Sequence, residues 1–216
     1  MRRPEDPTPL GVASWTAEAA SSSATSAAWD GDSTLRTSAR LASALERIGA
    51  ARRMLVQDIA TRNGLSVLQV KILNHVGTTG PANITALAGA LGVSMPTVSD
   101  ANAALRHKGM VEQRTGADAR RRTVHLTRGG RAMARRIEAD LEPFRRACES
   151  AGPVGLGAAL AVIHGLWREG ILAVDRSCAT CRHHVEGSTS VGRCDLLGID
   201  LTTDSLRVDC PEHVSA

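Results

Sequence analysis

A chain of 216 residues, 43% of them hydrophobic, is long enough to bury a sizeable core. It contains no run of about 18 apolar residues that would mark a membrane span. Its opening segment carries Glu18 and no continuous apolar block, so a secretory leader is not expected and a soluble cytoplasmic protein is. The net charge of +4 is unevenly distributed: the stretch from Arg106 to Arg136 holds ten Lys/Arg against Glu112 and Asp118, whereas residues 1–33 and 175–216 each sum to −3. A basic segment between acidic flanks implies a polyanionic partner bound at one place.

Residues 1–33 are rich in Ala, Ser, Thr and Pro without a sustained apolar period and read as a disordered tail; Trp15 and Trp29 there either rest on the body of the chain or engage a partner. From 34 to about 62, Leu41, Leu45, Ile48, Leu55 and Ile59 form one stripe on a helix. Ser66 can cap a second helix with Val67, Val70, Ile72, Leu73 and Val76 inward, and residues 77–81 should break it. A third helix over 84–91, with Leu87, Ala88 and Leu91 inward, ends at Gly92, which suits a left-handed turn. Ser94 caps a fourth, with Pro96 in its first turn and Val98, Ala101 and Leu105 inward. Its outward residues then include Pro96, Thr97, Ser99, Asp100, Asn102 and Arg106, placed as on a helix that lies in a DNA groove.

Short alternating runs at 111–114 and 123–126 read as strands around a loop that carries Arg120, Arg121 and Arg122. Thr127 caps a fifth helix striped by Met133, Ile137 and Leu141, in which Pro143 should introduce a kink and Cys148 reads as a small core residue. Beyond Pro153, the positions Leu156, Leu160, Ile163, Trp167, Gly170 and Val174 repeat as a heptad seam. Two striped helices flanking a small core point to packing against a second copy of the chain.

The stretch 94–111, SMPTVSDANAALRHKGMV, resembles the recognition helix of the MarR family of bacterial regulators, and Asp118, Ala119 and the arginine triplet followed by TVHLT resemble its wing. The resemblance covers about 35–174. It implies a mainly α fold with a small β-wing, a winged helix-turn-helix core flanked by long dimerisation helices. Functionally it implies a homodimeric transcription factor, more often a repressor, that binds double-stranded DNA and releases it on binding a small molecule or on cysteine oxidation. Arg120 would enter a minor groove, where narrow tracts concentrate negative potential, oriented by Asp118. Arg121 and Arg122 suit phosphates, which position a protein without reading sequence. Asp100 departs from the family, where many relatives carry a basic residue; a carboxylate there repels phosphate and suits a cytosine amino group. With one Phe and no Tyr, an aromatic-lined effector pocket is hard to build, although Trp167 could form one wall.

The segment 176–216 lies outside that family pattern and forms a third region, after the tail and a winged-helix domain over 34–175. Cys178 and Cys181 make a C-x-x-C knuckle, and Cys194 and Cys210 could complete a four-sulfur site, with His183, His184 and His213 as spare ligands. A structural zinc, an iron–sulfur cluster and a metal-free thiol switch all remain open; Pro211 after the last cysteine also occurs in ferredoxin-type runs. Such a site could control DNA binding. The alternatives are a winged-helix adaptor stapled by a purely structural zinc, and a repressor that answers to a small ligand. A closed four-cysteine site leaves no open coordination position, and no second shell surrounds His183, His184 or Glu212, so enzymatic activity is not expected.

Overall fold

The computed structural model describes residues 30–115, 122–185 and 191–216. In chain order these form α1 (Asp30–Arg62), α2 (Val67–Thr79), β1 (Ala82–Asn83), α3 (Ile84–Leu91), α4 (Met95–His107), β2 (Val111–Thr115), β3 (Arg122–Leu126), α5 (Arg128–Glu149), α6 (Gly152–Arg168), β4 (His184–Val185), β5 (Arg193–Cys194) and β6 (Ile199–Asp200). Among the described residues, no single helix is long and apolar enough to cross a membrane. The chain divides within α1, between Ala51 and Arg52, into two units. In the first unit the apolar stripe of α1 is uncovered: Leu35, Leu41, Leu45 and Ile48 are all exposed.

The second unit holds the core. Local chemistry starts α2, α4 and α5 at the caps the sequence predicts, Ser66, Ser94 and Thr127. The Ser66 hydroxyl accepts from the Gln69 N–H at 3.2 Å while the Gln69 side chain accepts from the Ser66 N–H at 3.1 Å, a reciprocal cap that satisfies two otherwise orphaned donors. Asn83, Ser94 and Thr127 cap α3, α4 and α5 in the same sense. Gly92, at φ +65°, closes α3 and turns the chain into α4. Between these ends Val70, Ile72, Leu73, Leu87, Val98, Leu105, Val124 and Ile137 are buried together with Val56 and Ile59 of α1. Each such side chain contributes about 1.5–3 kcal/mol by leaving water.

The winged sheet is antiparallel in the order β1-β3-β2, with Ala82 opposite Val124 and Val111 opposite Leu126. β1 was not foreseen: two residues between turn-formers carry no periodic signal, and only pairing with β3 defines them as a strand. Three other expectations are corrected. α2 continues to Thr79, so Gly77 lies inside it; a β-carbon there would approach the Ala134 Cβ at 2.9 Å, and the glycine lets α2 and α5 pack closely. α6 stops at Arg168, so Gly170, at φ +71°, and Val174 do not extend its seam. Cys148 is exposed rather than in the core, because Phe144, four residues earlier, is only half-buried and receives Arg52 over its ring at 5.6 Å.

The segment after Val174 is a small module of two 3-10 turns and a second antiparallel sheet, β4-β5-β6. Asp175 lies 3.5 Å from His164 Nδ1 of α6, and the segment approaches the rest of its unit elsewhere as well. Thr203 lies 3.6 Å from where a Gly157 β-carbon on α6 would stand, and the Arg176 guanidinium lies 4.0 Å from the same position on Gly89 of α3.

Candidate nucleic-acid interface

α4 is held by its inner face. Val98, Asn102 and Leu105, spaced four and three, point into the core and are 0%, 2% and 0% exposed. Asn102 is therefore corrected from a groove-facing residue to a core-facing one, since it shares a face with Val98 and Leu105 that was assigned to Ala101. Pro96, Thr97, Ser99, Asp100 and Arg106 are exposed on the outer face, as predicted. The Ser94 and Thr97 hydroxyls lie 2.7 Å apart, which fixes the first turn, and Thr85 of α3 donates to the Met95 sulfur at 3.4 Å.

The distal end of α4 is fastened by two contacts. Lys108 donates to the Gly64 carbonyl and, at 3.2 Å, to Gln69 Oε1, tying α4 to the start of α2. Gly109, at φ +67°, then turns the chain into the wing. Thr127 Oγ1 donates to the Gly109 carbonyl at 2.7 Å and accepts from the Gly130 N–H at 3.0 Å, linking the exit of α4 to the start of α5. Gly130 is obligatory, because a β-carbon would sit 1.8 Å from the Met110 carbonyl oxygen.

Between α4 and the winged sheet lies a cleft of about 720 Å³ lined by Ala103, Arg106, His107, Val111, Glu112, Gln113, Thr115 and Arg122. It joins two predicted cations, Arg106 and Arg122, and adds His107, Gln113 and Thr115, which sequence reasoning missed because their strand and helix-end positions carry no motif. Not all of the local basicity is available there. Lys108 is engaged internally, Arg131 donates to the Leu126 carbonyl at 2.8 Å, and Arg114 pairs with Glu112. The predicted residues Asp118, Arg120 and Arg121 lie outside the described residues.

The four predicted thiols are carried on adjoining backbone. Cys178 opens a 3-10 turn whose Cys178 carbonyl accepts from the Cys181 N–H, and the Cys178 sulfur accepts from the Arg207 N–H at 3.5 Å. Arg176 bridges to Asp209, and the Cys210 N–H donates to the Arg176 carbonyl at 3.0 Å. Cys181 bridges to Ser215, and Cys194 pairs with His184 across β4 and β5. All four are free and half-buried. Among the described residues, however, no three His, Cys, Asp or Glu side chains converge where one metal ion would sit. Two of the three spare histidines are engaged elsewhere: His184 Nε2 lies 2.7 Å from the Val191 carbonyl and His213 Nε2 lies 3.0 Å from Thr180 Oγ1. Trp167 stacks on His164 at 5.5 Å and lines a separate pocket with Asp175 and Thr180.

No protein-family model matches the chain, and no curated protein matches it in sequence. Solved structures do. AbfR, in a disulfide-formed state, matches with a TM-score of 0.50 at 14% identity, over 63% of this chain and 96% of its own. A MarR family transcription regulator gives 0.49 at 26% identity over 66% of this chain and 93% of its own, and another from Silicibacter pomeroyi gives 0.49 at 24% over 56% and 84%. The likeness to AbfR is one of fold alone; the described residues are mostly helical, with a small antiparallel winged sheet.

Proposed function

We propose that the chain is a transcriptional regulator that binds double-stranded DNA as a homodimer, more simply a repressor because a bound dimer occludes the DNA it covers. The observation that carries this reading is the joining of the exposed α4 face and the wing strand around one cleft flanked by Arg106 and Arg122. A helix start with exposed Pro96, Thr97, Ser99 and Asp100 presents short polar side chains to base edges, while Arg106 and Arg122 suit the flanking phosphates. Arg120 and Arg121, with Asp118 as orienting partner, extend the same basic edge in sequence. The exposed α1 stripe of Leu41, Leu45 and Ile48 supplies an apolar face for a second copy.

Control of binding is proposed to lie with the C-terminal module. Its Arg176–Asp209 ion pair, at 3.1 Å, faces the helix-turn-helix: Arg176 reaches Gly89 of α3, and both charges act on His75 of α2. A change in the module is thereby felt by the helices that support α4. A disulfide-formed state is recorded for AbfR; in this chain, the thiols that would answer to redox change or metal loading are those of the module.

Selection of bound duplexes from a randomised library tests the reading. Enrichment of an inverted repeat, lost with Arg106→Ala and Arg122→Ala together, is the expected result. Recovery of duplexes with no common sequence, at an affinity unaffected by the double variant, would remove it.

A further inference from the structure

One charge on the outer face of α4 opposes the binding of a polyanion. Val98, Asn102 and Leu105 point into the core and fix the phase of the helix. Asp100 stands two residues from Val98 and two from Asn102, hence about 200° around the helix from each. That is the middle of the face turned away from the core. Pro96, Asp100, Ala103 and His107 follow one another along it and are all exposed, and Ala103 and His107 line the cleft beside the wing. Asp100 is the sixth residue of α4, within the first two turns, the part of such a helix that meets base edges.

Its charge is uncompensated. Among the described residues, no hydrogen bond or ion pair engages the Asp100 carboxylate. Its neighbours one turn away are Pro96, Thr97, Ala103 and Ala104; the Thr97 hydroxyl is held by Ser94 at 2.7 Å, and the other three side chains carry no donor. Glu112, which lines the cleft, is by contrast paired with Arg114 at 2.6 Å.

An open carboxylate on a groove-facing surface is repelled by the phosphates of any duplex. When ionised it only accepts hydrogen bonds. In the major groove guanine shows the acceptors N7 and O6, and thymine an O4 acceptor and a methyl group; the donors are the amino groups of cytosine and adenine. Adenine sets its N7 acceptor beside its amino group, against the second carboxylate oxygen, whereas cytosine has no acceptor there. Cytosine is therefore the base edge that best offsets the repulsion.

We propose that Asp100 is a specificity gate: it weakens binding to DNA at large and is compensated where a cytosine amino group stands opposite it, once in each half-site. Specificity is a difference of affinities, so a charge that penalises wrong sequences raises it as a contact favouring the right one does. This rests on α4 being the DNA-facing helix.

The test uses the full-length chain. Duplexes are selected from a randomised library, and the selected duplex, its version with the cytosine replaced by thymine, and a mixed-sequence duplex are titrated at one salt concentration. Wild type should enrich cytosine at one position of each half-site, and the replacement should weaken binding about tenfold. Asp100→Ala should lose the preference at that position alone and bind the mixed-sequence duplex more tightly than wild type. Asp100→Asn should exchange cytosine for adenine there, because an amide accepts from N6 while donating to N7. A purely structural role for Asp100 would not redirect one base. Variants that select the wild-type motif base for base would overturn this proposal and leave the DNA reading standing. An Asp100→Ala chain that binds the mixed-sequence duplex no more tightly than wild type would do the same. Recovery by wild type of duplexes with no common sequence would remove both.

Discussion

At the scale of single residues, the cleft between α4 and the wing depends on positions that do not line it. Gly130 admits the Met110 carbonyl at a distance no β-carbon tolerates, so Gly130→Ala should cost about 3 kcal/mol, as overpacking of a closed site does; chemical denaturation measures it. Lys108 was counted among the basic residues from sequence but is engaged by the Gly64 carbonyl and Gln69. Charge can be counted from sequence; its internal engagement requires the fold. Asn102 shows the complementary limit: an amide reads as outward until the helix phase, set by Val98 and Leu105, turns it inward. Arg106→Ala, which removes one phosphate contact from each protomer of a dimer, should weaken DNA binding uniformly across sequences and reduce the salt slope by about 2, whereas Thr97→Ala should change sequence preference more than salt dependence. Both are readable from duplex titrations.

At the scale of elements, the helix caps were legible because capping is local chemistry: Ser66, Ser94 and Thr127 each bond within three residues. β1 and the stopping point of α6 were not, since a two-residue strand and a helix end at Gly170 are settled by long-range pairing and backbone conformation. Partly buried His75 of α2 has a pH signature. Burial holds His75 below its ordinary histidine value, opposed by Asp209 and reinforced by Arg176. A histidine kept neutral in the fold contributes stability that is fully present above its unfolded value of about 6.5. That contribution is lost as pH falls from there towards the lowered folded value. Unfolding measured at about pH 7.5 and about pH 5.5 should show a drop that is smaller in His75→Gln. An unchanged drop would mean that His75 does not govern it.

At the scale of the whole molecule, two features remain outside the core that the sequence pattern describes so well. One is the exposed stripe of α1; Leu45→Glu with Ile48→Glu should convert a dimer to monomers by light scattering, because two charges on an apolar face oppose its burial. The other is the cysteine module, whose residues were singled out by spacing but whose placement against α3 and α6 had no signal in sequence. On the proposed function, the winged helix grips DNA through its phosphates. Affinity for a mixed-sequence duplex, measured against salt concentration, tests it most directly. A dimer contacting several phosphates should give log affinity falling with log salt at a slope of about −4 or steeper, and a slope near zero would contradict the account.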